Sequence, residues 1–186
     1  MGSLVALPWS RFQWQHALVP ARTLLLGIYG LFGFHFLLFL ALRTAPAVEA
    51  NLVNYLWPLL IVVLAPVFHK GTRLHWRQVL AALAGFSGAV WVITGGQVID
   101  LQINVGYLAA LGSAFIWATY SLMTQRVPAF HTAAIGSFGL VSGVLSLACH
   151  FALETPVTIS NQDSLLLIWM GLGPLGLAFY LWDAAL

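Results

Sequence analysis

The chain has 186 residues, 61% of them hydrophobic and 6% charged. A soluble domain carries about 25% charged residues, so seven Lys/Arg and five Asp/Glu cannot give this chain a water-facing surface. A net charge of +2, spread thinly, excludes a nucleic-acid binder, and the single cysteine, Cys149, excludes an internal disulfide or a cysteine-based metal cluster. No basic n-region opens the chain, so no cleavable signal peptide is expected over residues 1–8.

Lipid is therefore the expected solvent. A helix crosses the hydrocarbon core with roughly 20 apolar residues. In chain order, such stretches lie at 23–42, 50–68, 79–94, 106–124, 132–153 and 165–186, the third being short. The fold class is thus all-α, a polytopic transmembrane helix bundle. Pro20, Pro46, Gly71, Gly95, Gly96, Pro128 and Pro156 punctuate the connections.

Charges thread these spans consistently. Arg11 and Arg22 precede the first span, Lys70, Arg73 and Arg77 separate the second from the third, and Arg126 follows the fourth. The alternate connections hold Glu49, Asp100, Glu154 and Asp163 with one base, Arg43. Basic loops stay cytoplasmic, which sets the expected orientation.

In the first span His35 is the ionisable group nearest the middle. Such a residue is a functional candidate, as a substrate donor or proton carrier. The alternative is a neutral histidine bonded to a neighbouring helix. His35 and His150 could ligate a haem, but their expected depths differ. In the second span Asn51, Asn54, Tyr55 and Pro58 follow i, i+3, i+4, i+7 spacing. They read either as a kinked, cavity-lining face or as amide glue between helices. Pro58 removes a backbone donor and frees a carbonyl.

In the third span Ala81, Gly85 and Gly88 read as a packing face. In the fourth, Gly106, Ala110, Ser113, Trp117, Tyr120 and Thr124 share one sector, fit for an aromatic or cationic solute or for ordinary packing. In the sixth, Trp169, Gly173, Gly176, Tyr180 and Asp183 line one face, and Pro174 is a candidate helix break. There is no Walker-type loop, no HExxH motif and no paired mid-membrane carboxylates. No catalysis, cofactor or metal is expected.

An offset of 143 residues lays Gly30, Gly33, Phe36, Leu38 and Ala41 over Gly173, Gly176, Phe179, Leu181 and Ala184. One matched segment lies in the first span and the other in the sixth. A five-helix unit is odd-numbered, so successive copies enter the membrane in opposite directions, which is the inverted-repeat plan of many transporters. Two complete units need ten spans. The expectation is that two helices are missing at each end, with residues 1–9 the tail of one of them.

The residues Ala41-Leu42-Arg43-Thr44-Ala45-Pro46, followed by Glu49 to Pro58, resemble the first-repeat pattern of EamA-type members of the drug/metabolite transporter superfamily. Asn54-Tyr55-Leu56-Trp57-Pro58 is similar to its branch of aromatic amino-acid and paraquat exporters. Trp117-Ala118-Thr119-Tyr120 and the run from Gly173 to Tyr180-Leu181-Trp182 resemble the family's second repeat. The resemblance covers about residues 20–186. It implies a ten-helix inner-membrane exporter of two inverted five-helix repeats, with 1–96 in the first and 97–186 in the second.

It further implies a central cavity walled by Tyr55, Trp57, Pro58 and Trp117. With His35, Asn54, Tyr120 and Tyr180 from the reading above, these are the candidate substrate contacts. One departure is Gly71-Thr72-Arg73, where many members have Gly-Glu-Arg and a cytoplasmic gate would rest on the glutamate. The expected activity is export of small amphipathic metabolites, amino acids or related amines, by alternating access. Its rival is a non-transporting remnant or scaffold subunit. Lipid and a small-molecule substrate are the expected partners, with nucleic acid excluded and a homodimer left open.

Overall fold

The computed structural model describes residues 19–69, 71–96, 104–128, 130–155 and 160–185, of which 182–185 by backbone alone. Arg11, Lys70, Asp100 and Pro156 lie outside the described residues, as does the segment 1–9 read as a helix tail; the side chains of Trp182 and Asp183 do too. Among the described residues, six helices are long and apolar enough to cross a membrane: Ala21–Thr44, Ala47–Phe68, Trp76–Thr94, Val105–Thr124, Ala134–Leu153 and Asn161–Leu181.

Three of these spans are interrupted. The first is α1 (Ala21–Ile28), a π-helical turn (Tyr29–Gly33) and α2 (Phe34–Thr44). The second is α3 (Ala47–Asn54) and α4 (Trp57–Phe68), separated by a turn at Tyr55 and Leu56. There the Leu56 amide bonds the Val53 carbonyl, three residues back, and Pro58 has no N–H to offer Asn54. The third, fourth and fifth are single helices: α5 (Trp76–Thr94), α6 (Val105–Thr124) and α7 (Ala134–Leu153). The sixth is α8 (Asn161–Leu172), a second π-helical turn (Gly173–Leu177) and α9 (Ala178–Ala185).

Local chemistry sets the ends. Asn104 Oδ1 accepts from the Gly106 amide at 2.7 Å and starts α6. Ser160 and Asp163 form a reciprocal capping box at the start of α8. His75 and Gln78 do the same for α5, which begins three residues before the expected 79 and so reaches full spanning length. Gly95, at φ 61°, closes α5 in the left-handed conformation. Arg43, the one base off the charge pattern, lies in the last turn of α2, where a cation complements the helix C-terminus.

The chain divides into two compact units. The unit Gly33–Val127 holds α2 to α6. Its centre is α6, which packs on α2, α3 and α4. Ala41, Ala50 and Ala110, each 0% exposed, meet there, with Leu42, Ala45, Val53 and Ala109 around them. Alanines let the three backbones approach closely.

The other unit holds the residues before Gly33 and after Val127. In it α1 packs on α7. The Phe138 ring fills the space a side chain at Gly27 would take, and stacks edge-on against Phe130 at 5.5 Å.

One expected packing face is corrected. A Cβ added at Gly85 or Gly88 would meet nothing within 4 Å, and no residue of α5 is buried. Small residues at helical spacing permit close approach, but which neighbour approaches is not written in their own helix.

Candidate functional site

The stripe read in the fourth span is the inward face of α6. Gly106, Ala110, Ser113, Trp117 and Tyr120 are all buried, while Thr124 is half-buried. Its lower half is packing: Gly106 abuts Thr44 and Ala45, and Ala110 sits among the alanines. Polar and aromatic groups begin one turn further along.

Ser113 Oγ lies 2.7 Å from Asn54 Oδ1 and 2.7 Å from the Ala110 carbonyl. Asn54 is 8% exposed and ends α3, so the break in the second span is moored to α6 by this buried pair. Asn51, one turn earlier, satisfies its amide on its own helix by donating to the Ala47 carbonyl at 3.0 Å. The turn at Tyr55–Leu56 spoils the single face expected of Asn51, Asn54, Tyr55 and Pro58. Asn54 is buried, whereas Tyr55 and Pro58 are exposed. Trp57, the first residue of α4, is half-buried.

Four residues up from Ser113, the Trp117 ring lies 5.1 Å from the Phe34 ring and 5.5 Å from that of Tyr120. Phe34 also meets His35 edge-on at 5.0 Å, and His35 in turn lies 5.9 Å from Phe39. Ring pairs at these separations are attractive beyond the area they bury. The result is a chain of rings, Phe39–His35–Phe34–Trp117–Tyr120, carried by α2 and α6. Beside it stands a buried amide–hydroxyl pair. An apolar aromatic wall with few polar groups is the composition of a site for an amphipathic small molecule.

Phe34 was not singled out from the sequence. It is one Phe among twelve, and only the packing of α2 on α6 brings it to Trp117. Of the eight candidate contacts, His35, Asn54, Tyr55, Trp57, Pro58, Trp117 and Tyr120 lie in the unit Gly33–Val127. Tyr180 belongs to the other unit, where it is 1% exposed.

One cluster at the far end of the same unit was also missed. His69 bonds Gln125 through Nε2, Arg126 donates to the Val67 carbonyl at 3.4 Å, and its guanidinium stands 5.2 Å from the Phe68 ring centre. This ties the end of α4 to the end of α6. The partners are 56 to 59 residues apart, and no local pattern announces them.

Six apolar spans among the described residues, with buried alanines, an amide–hydroxyl pair and a chain of rings inside the unit Gly33–Val127, define a multi-pass helical membrane protein with an aromatic-walled candidate site. Residues 1–94, half the chain, match the EamA-like transporter family, and the chain belongs to that family. The aromatic amino acid exporter YddG of Ancylobacter novellus is 42% identical over 160 residues, 84% of this chain and 55% of that protein. YddG of Salmonella typhimurium is 29% identical over 179 residues, 90% of this chain and 60% of its own. The uncharacterized transporter YyaM of Bacillus subtilis is 32% identical over 143 residues, 74% of this chain and 47% of its own. A solved crystal structure of a protein 37% identical superposes with a TM-score of 0.82, covering 98% of this chain and 64% of that one. The chain therefore spans about half to three fifths of the curated relatives it matches.

Proposed function

We propose that the protein exports small amphipathic metabolites, aromatic amino acids foremost, across the inner (plasma) membrane by alternating access. The observation that carries this reading is the chain of rings ending at Trp117 and Tyr120, beside a polar break in the second span. Its weight is increased by 42% identity to an aromatic amino acid exporter over most of the chain.

Substrate enters from the cytoplasmic side, where the basic loops lie, and stacks its ring against Tyr55, Trp57 and Trp117. Asn54 and His35 supply the polar contacts, and Pro58 and Tyr120 shape the wall. Inverted repeats then rock about the bound solute. The recurrence of a π-helical turn supports the repeat: the offset of 143 carries Tyr29–Gly33 onto residues 172–176, one residue from the observed Gly173–Leu177.

The test is counterflow of labelled phenylalanine in proteoliposomes, wild type against Trp57→Ala and Trp117→Ala. Removal of a stacking ring lowers flux roughly tenfold if the stack is worth about 1–1.5 kcal/mol. Equal flux in all three proteins rejects the assigned site, and no flux in the wild type rejects the substrate class.

A further inference from the structure

Asn54 stands at the break between α3 and α4. Its main-chain carbonyl has no amide four residues on, because position 58 is proline. Its side chain is paired with Ser113. The Ser113 hydroxyl carries a single hydrogen, yet two oxygens lie at 2.7 Å, Asn54 Oδ1 and the Ala110 carbonyl. One hydrogen serves one of them well and leaves the other pair of oxygens facing each other at 2.7 Å with no hydrogen between them, a repulsive contact.

Turning the amide over removes the conflict. The Asn54 NH2 then donates to Ser113 Oγ, and the Ser113 hydroxyl donates to the Ala110 carbonyl. The two ends of an amide have nearly the same shape, so the hydrogen-bond network decides which is which. The carbonyl of the side chain then lies at the end away from Ser113, at the same break where Pro58 withholds an amide from the Asn54 main-chain carbonyl.

We propose that Asn54 turns its amide carbonyl away from Ser113 and that this carbonyl accepts a hydrogen bond from the ammonium group of the transported molecule. The inference rests on the proposed export of aromatic amino acids and adds which end of the molecule the break recognises. An ammonium has three donors and no acceptor, so it matches a place that offers acceptors only. A charge-assisted bond of this kind is about twice as strong as a neutral one. Trp117, one turn beyond Ser113 on the same inward face of α6, adds a ring whose face attracts a cation. A carboxylate in the same place would set oxygen against oxygen.

The experiment compares export of phenylalanine with that of 3-phenylpropionate, which is phenylalanine without its ammonium, from proteoliposomes. Asn54→Leu removes the acceptor, and the flux ratio of phenylalanine to 3-phenylpropionate falls roughly tenfold or more. Asn54→Asp keeps the shape, takes the Ser113 hydrogen and still presents an oxygen outward, so its ratio stays at or above the wild-type value. A ratio within twofold of wild type in Asn54→Leu overturns the inference, as does a fall in Asn54→Asp. If Asn54→Leu does not insert, the isosteric Asn54→Asp decides alone by the same criterion. A wild type that moves phenylalanine, with ratios indifferent to position 54, overturns this inference and leaves the export reading standing. A wild type that does not move phenylalanine overturns both.

Discussion

Gly106 is the position at which the packing of the larger unit is most exposed to a single methyl group. It follows the cap residue Asn104, and its face of α6 lies against the end of α2. A Cβ there would stand 2.6 Å from Ala45 Cβ, 2.6 Å from Thr44 Oγ1 and 2.9 Å from the Ala45 amide nitrogen. Carbon atoms pack at about 3.5–4.0 Å, so the overlap is about 1 Å. Neither neighbour can swing aside. Ala45 has no rotamer to change, and the Thr44 hydroxyl is tied to the Leu40 carbonyl at 2.7 Å. The helices must separate, and overpacking of this sort costs about 1–3 kcal/mol.

Alanine is also the better helix former by up to about 1 kcal/mol, so the clash must be measured against a glycine that has room. Gly85 and Gly88 are such positions. The assay is thermal unfolding of the detergent-solubilised protein, followed by circular dichroism. At about 2–4 °C per kcal/mol for a chain of this size, Gly106→Ala melts roughly 2–12 °C below Gly85→Ala. A Gly106→Ala protein that melts with Gly85→Ala or above it would show that α2 and α6 do not approach as described.

Two further outcomes follow from close contacts. Gly27→Ala puts a Cβ 2.3–2.5 Å from the Phe138 ring and lowers Tm by a comparable amount; Phe138→Leu in the same protein restores part of it, and the double variant melting no higher than Gly27→Ala would refute the contact. Arg126→Ala removes a bond to the Val67 carbonyl and a guanidinium from over Phe68, together worth about 1–2 kcal/mol, and Tm falls by a few degrees, whereas an unchanged Tm would show that the ends of α4 and α6 are not joined there.

All six spans were legible because bilayer thickness demands long apolar runs, and length and composition are properties of the sequence itself. Their limits moved by one to four residues where a cap intervened, as with His75 and Gln78 before α5 and Ser160 before α8. The α6 stripe was legible for the same reason: periodicity shows which residues share a face. It does not show what the face meets. Gly106 and Ala110 turned out to be seats for other backbones, and Gly85 and Gly88, equally regular, meet open space. Asn54 could be read as glue or as a ligand contact, and its bond to Ser113 across 59 residues shows why. One end of an amide can anchor a helix while the other remains available. Neither role leaves a distinct trace in a sequence that supplies only the residue type.

The two π-helical turns carry this argument one step further. Pro174 made a break in the sixth span foreseeable, since it withholds an N–H from the preceding turn. The first span has no proline inside it, yet it takes the same π-helical form at Tyr29–Gly33. Proline is therefore not the common cause. What the two places share is a pair of glycines three apart, Gly30 with Gly33 and Gly173 with Gly176. A π-turn admits one residue more than an α-turn, and a helix strained in this way is eased where side chains are absent. Gly33 also sits where a Cβ would press on Ile116 at 3.2 Å, so its missing side chain serves packing as well. The glycines that marked a weak internal repeat by identity alone thus acquire a physical reason to recur. Replacing Gly30 and Gly33 by alanine tests that reason directly, since it favours an unbroken α-helix through Tyr29–Gly33.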